Sequence, residues 1–143
     1  MNAGEDQINN LTHINGSSQV IMVNSTINKY KLNNSSGTIY LEKLTGDNFD
    51  MLSNTSVNSL YDFNYDTAKI LVQNTGNVTL IRSYFKTSVE VTTVSNSYQT
   101  VEYVKSPKIT LASASGLISC NKINKNYTLA SSELCIFQKR SKD

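Results

Sequence analysis

The chain has 143 residues, of which 38% are hydrophobic and 17% charged, with a formal net charge of +2. That length supports one domain with a real core rather than two. A balance so near neutral, with basic residues crowded only at Lys139-Arg140-Ser141-Lys142, argues against nucleic-acid binding, which needs a sustained basic footprint.

In chain order, Met1–Ser18 is polar and reads as a tether, with the domain proper at 19–143. Gln19–Val23, Ile27–Leu32 and Thr38–Lys43 are short apolar-alternating runs that could form a meander. Leu44–Tyr65 is less regular: Thr45-Gly46-Asp47-Asn48 reads as a turn, and the rest as a long crossover carrying apolar plugs. The clearest element is Ala68–Tyr84, two alternating runs around Asn74-Thr75-Gly76-Asn77, which has the chemistry of a β-ribbon. Thr87–Val94 and Tyr98–Val104 alternate well, and Pro107 ends the second run or marks an edge. Lys108–Ala112, Gly116–Cys120, Tyr127–Leu129 and Glu133–Lys139 complete the set. Short strands punctuated by turns, without a βαβ rhythm, fit an all-β sandwich or barrel.

The chain contains 18 Asn and 33 Ser plus Thr, residues that solvate a surface by hydrogen bonding rather than charge. Eight Asn-X-Ser/Thr triplets begin at Asn10, Asn15, Asn24, Asn33, Asn34, Asn54, Asn77 and Asn126. In a secreted protein they would be glycan acceptors and demand surface positions; the alternative is a plain Asn-rich composition. The acceptors expected to be used are Asn34, Asn54, Asn77 and Asn126. Cys120 and Cys135 either form a bridge, constraining the unfolded chain by roughly 3 kcal/mol for a loop of about 15 residues, or remain two thiols in the core. No apolar run reaches the length of about 18 residues that a spanning helix needs. The opening MNAGEDQINN lacks the pattern of a signal peptide. The chain is then cytosolic, or an ectodomain whose anchor has been left off; the triplets and cysteines favour the ectodomain.

No catalytic, cofactor-binding or metal-ligating set stands out. His13 sits in the tether without cooperating neighbours, and Asp47 with Asp50, or Asp62 with Asp66, only flank irregular stretches. Asp47 and Asp50 could touch Ca²⁺ but lack the ligand density of an EF-hand. No P-loop, dinucleotide fingerprint or nucleophile elbow is present. The eight tyrosines, several on good strands, suit either a binding face or cross-strand packing.

The phrase Ile70-Leu71-Val72-Gln73-Asn74-Thr75-Gly76-Asn77-Val78-Thr79-Leu80 resembles the V-x-N-T-G-N-x-x-L phrase of extracellular β-domains in archaeal surface appendages, and the whole looks like the soluble domain of an archaellum accessory (stator) protein. The resemblance implies an immunoglobulin-like β-sandwich of two antiparallel sheets, without enzymatic activity or cofactor. It also implies a place between cell membrane and S-layer, binding to the S-layer protein and other archaellum components, membrane attachment only through a missing N-terminal helix, and homodimerisation. The expected dimer contact is Ile70–Tyr84 with Thr87–Val94, through Ile81, Tyr84, Val89 and Val91. A pilin or archaellin head and an extracellular carbohydrate-binding or adhesion module are the alternative readings.

Overall fold

The computed structural model describes residues 8–16, 18–55, 57–73, 76–94, 97–113, 118–121, 123 and 127–129. Eleven strands lie within them: β1 (Ile8–Asn15), β2 (Val20–Asn34), β3 (Ile39–Thr45), β4 (Asn48–Ser53), β5 (Val57–Tyr61), β6 (Asn64–Val72), β7 (Asn77–Thr93), β8 (Gln99–Lys105), β9 (Ile109–Ser113), β10 (Ile118–Asn121) and β11 (Tyr127–Leu129). Every pairing among them is parallel. The fold is a β-solenoid of about five stacked turns.

The register shows the unit. Val20 lies beside Ile39 and Ile39 beside Asn58, each 19 residues further on. The step lengthens to 20 from Asn58 to Val78 and 21 from Val78 to Gln99, then returns to 19 at Ile118. One extra residue enters between Val72 and Asn77, where the preceding coil has one fewer between Ser53 and Val57, and the other lies on β7 opposite Asp66, between Phe85 and Ser88. Each coil has two arms. The first arms are the opening halves of β2 and β7 with β3, β5, β8 and β10; the second are the closing halves of β2 and β7 with β1, β4, β6, β9 and β11. Stacking at the usual spacing of about 4.8 Å builds two parallel sheets around a narrow core.

Period-2 alternation decides which side chains enter that core. On the first arms Val20, Met22, Ile39, Leu41, Leu60, Val78, Leu80 and Val101 point inward. Tyr30, Leu32, Phe49, Met51, Ile70, Val72, Val89, Val91 and Leu111 do so on the second. Between the arms the chain turns at one recurring backbone posture. Asn24, Lys43, Asp62, Arg82 and Tyr103 all take positive φ, between 50° and 59°, and each lies a coil step from the next. A left-handed residue interrupts the pleat, so two successive side chains face outward and the following one, such as Leu44 or Phe63, returns to the core. For Lys, Arg and Tyr this posture costs on the order of 1 kcal/mol each, offset by the hydrogen bonds and burial that stacking adds on both arms. Ser25 and Ser83 follow two of these corners, and each hydroxyl donates to the carbonyl two residues back, Val23 at 2.9 Å and Ile81 at 3.1 Å.

The opposite corner, where one coil passes to the next, is lined by buried polar groups. The Asn58 carboxamide accepts from Ser53 Oγ at 2.6 Å and Thr55 Oγ1 at 3.1 Å, and donates to the Thr55 and Asn77 carbonyls at 3.2 and 2.8 Å. Turn carbonyls that cannot join a ladder are satisfied this way by a side chain. Gly76 belongs to the same packing: a Cβ there would stand 2.1 Å from the Thr55 carbonyl oxygen, and its N–H donates to Ser97 Oγ at 2.9 Å.

The expected antiparallel immunoglobulin-like sandwich is therefore incorrect. The Ala68–Tyr84 segment is not a hairpin: Val72 lies beside Thr93, and β6 meets β7 through Asn64 beside Tyr84. Alternation reports only that one face of a strand is buried, and a solenoid arm satisfies it as well as a sandwich strand does. A parallel pair ordinarily needs a long crossover, here supplied by the other arm of the coil. Leu44–Tyr65, read as a crossover, instead contains β4, β5 and the start of β6. Residues 8–15, within the expected tether, form β1 and stack on β2 from Ile8 beside Ile27 to Asn15 beside Asn34.

Candidate functional site

Because coils stack in register, outward residues of the first arms form columns. One runs Ile21, Tyr40, Ser59, Thr79, Thr100; its neighbour runs Val23, Glu42, Tyr61, Ile81, Glu102. The corner column of Asn24, Lys43, Asp62, Arg82 and Tyr103 borders them. Large side chains concentrate at the N-terminal half of this face. Ile21 is 51% exposed, Tyr40 is exposed, and Tyr61 and Ile81 are half-buried.

The patch is ordered by its own contacts. The Tyr40 and Tyr61 rings lie 5.6 Å apart between centroids, tilted by 48°, and the Tyr40 hydroxyl donates to Glu42 Oε1 at 2.6 Å. That hydrogen bond, reinforced by desolvation and the carboxylate charge, raises the Tyr40 pKa above the ordinary phenol value. On the next coils Arg82 grips Asp62 with both ends of its fork, Nε to Oδ1 at 2.9 Å and Nη2 to Oδ2 at 3.2 Å. The Arg82 hydrogen bond holds the Asp62 carboxyl below its ordinary range. Arg82 Cζ also stands 5.6 Å from the Tyr61 ring centre, within cation–π range. Aromatic faces, a paired carboxylate and guanidinium, and flanking aliphatics thus share one flat, charge-balanced surface.

The residues singled out in the sequence scatter over the molecule. Ile81 belongs to this face and Tyr84 is exposed beyond the corner, but Val89 and Val91 are 1% and 0% exposed, inside the core. The two valines are on the opposite arm from Ile81, so the four cannot make one contact surface. His13 lies on β1, its Nδ1 at 3.1 Å from the Tyr30 hydroxyl. Asp66 takes a hydrogen bond from Thr87 Oγ1, Asp62 is held by Arg82, and Asp50 stands on the outer face of β4. Among the described residues no group of three or more His, Cys, Asp and Glu is placed to hold a metal ion. Of the glycan acceptors, Asn34 is fully buried, Asn54 half-buried, Asn77 exposed, and Asn126 outside the described residues. Cys120 is buried on β10, while Cys135, its expected partner, lies outside the described residues.

Sequence reasoning missed Tyr61, Asp62 and Arg82 as a unit. Their common signal is the coil step: Asp62 and Arg82 are 20 residues apart and become neighbours only once the repeat is recognised.

No family model matches the chain, and comparison with the curated proteins and with the solved structures finds no match. The likeness to archaellum accessory proteins does not stand. Its phrase is a corner between parallel coils, its implied sandwich is absent, and no relative supports it.

Proposed function

We propose that the chain is a non-enzymatic, extracytoplasmic adhesion module that holds a neutral polysaccharide along the outer face of its first arms. The observation that carries this reading is the Tyr40–Tyr61 pair set beside the Asp62–Arg82 fork. Sugar rings offer apolar C–H faces to aromatic rings and paired hydroxyls to planar polar groups, which this face supplies side by side. Its charges cancel within the patch, Glu42 and Asp62 against Lys43 and Arg82, which favours an uncharged ligand over an anionic one. A stacked-coil surface is also long and flat, suited to a polymer rather than a small molecule.

Calorimetric titration with soluble glucans, xylans and mannans tests the reading. Saturable binding is expected to at least one, weakened about tenfold by Tyr40→Ala or Tyr61→Ala. No heat with any of the three classes, or binding indifferent to both substitutions, would refute it.

A further inference from the structure

We propose that Asn10, Asn24 and Asn33 are N-glycosylated, so that sugars sit on the outer face of the second arm and at one corner. This rests on the extracytoplasmic reading but on none of the polysaccharide argument. The fold sorts the Asn-X-Ser/Thr triplets, since an acceptor amide must be exposed and uncommitted in the finished protein. Asn34 is 0% exposed. The Asn15 amide nitrogen is engaged by the Asn34 side chain and by the Ser18 and Ser36 carbonyls.

Asn10, Asn24 and Asn33 are exposed and carry no side-chain hydrogen bond to a described residue. Each has a distinct station. Asn10 and Thr12 are both exposed on β1, two residues apart and therefore on the same face of the strand. Asn33 and Ser35 are exposed at the end of the second arm of β2. Asn24 opens the left-handed corner column, with φ of 50° turning its side chain out ahead of the buried Ser25.

In the transfer step, the carboxamide nitrogen attacks the anomeric carbon of an oligosaccharide activated as a lipid pyrophosphate. A carbon–nitrogen bond forms, the carbon–oxygen bond to pyrophosphate breaks, the lipid pyrophosphate leaves with the electron pair, and the nitrogen loses one proton to the medium. The co-reactant is that lipid-linked donor, supplied with its transferase by a secretory pathway.

The test is expression of the full chain behind a secretory signal in eukaryotic cells, followed by enzymatic release of the glycans, which leaves Asp where a glycosylated Asn stood. Peptide mass mapping is expected to find Asp at 10, 24 and 33, and unchanged Asn at 15 and 34. Asn10→Gln, Asn24→Gln and Asn33→Gln are each expected to remove the mass of one glycan from the intact protein. An empty position among the three, or an occupied Asn34 in folded material, overturns the assignment. The polysaccharide titration, run on unglycosylated chain, stands or fails separately.

Discussion

Replacing Gly46 by Ala tests the stacked-corner geometry directly. A Cβ at Gly46 would lie 2.0 Å from the Ile27 carbonyl oxygen on one side and 2.6 Å from Tyr65 Cε2 on the other. Those two groups are already joined, because the Tyr65 hydroxyl reaches across this coil to donate to Ile27 O at 2.9 Å. Gly46 is the gap through which that bond passes. Filling it displaces backbone or ring, an overpacking cost of about 1–3 kcal/mol, and breaks a buried hydrogen bond for about 1–3 kcal/mol more. The expected loss is about 3–5 kcal/mol, read as a lower urea midpoint at unchanged m and a Tm lower by about 10–15 °C. Gly16→Ala is the control: nothing lies within 4 Å of its Cβ position, so it should stay within about 0.5 kcal/mol of wild type. Tyr65→Phe alone should cost about 1–2 kcal/mol. The double variant should fall short of additivity by about 1 kcal/mol, since the same bond is lost only once. A Gly46→Ala loss under about 1 kcal/mol, or full additivity, would refute the geometry.

Leu80→Ala, in the fully buried inner row of the first arms, should cost about 2–5 kcal/mol in urea unfolding. At the corner, Lys43→Asn should raise stability by about 0.5 kcal/mol and Lys43→Val lower it by about 1–2 kcal/mol, because Asn tolerates positive φ and a β-branched residue does not; the reverse order would contradict a left-handed Lys43. Asp62 titrates lower folded than unfolded because of Arg82. Its small contribution is therefore present above about pH 4 and lost as pH falls through the lowered folded value. The urea-stability gap between wild type and Asp62→Asn should accordingly close in acid, and a gap that widens there would refute the pairing.

The sequence made strand content legible and concealed strand partnership. Thr38–Lys43 and Tyr98–Val104 were readable because Leu41 and Val101 fill a core while Tyr40 and Thr100 face out, which alternation reports whatever the neighbouring strand may be. Partnership lives in the spacing between strands. Met22, Leu41, Leu60, Leu80 and Val101 occupy one inward row at steps of 19, 19, 20 and 21 residues. The drift in step and the change of residue type blur the repeat. The Asn-Thr-Gly segment misled for a physical reason: Gly76 is required by the Thr55 carbonyl of the preceding coil, and a hairpin turn would have selected the same residue for its backbone freedom.

The candidate face was concealed for the same reason, one level higher. Tyr61 on its own strand is an ordinary half-buried residue, and Asp62 and Arg82 are single charges beside turns. Parallel in-register stacking makes them a surface, bringing positions about 20 residues apart to the roughly 4.8 Å spacing of neighbouring strands. It also fixes what a mutation can do. An outward substitution at Tyr40 or Tyr61 changes one station of a column and leaves the inward row intact, whereas an inserted residue within an arm shifts every later side chain to the opposite face. The extra residues that this chain does carry enter between Val72 and Asn77 and at the β7 bulge between Phe85 and Ser88, and beyond each the inward row continues, through Leu80 after the first and through Val89 and Val91 after the second. Length variation is thus absorbed where the pleat is already interrupted, and the outward columns remain free to vary in chemistry without altering the coil that presents them.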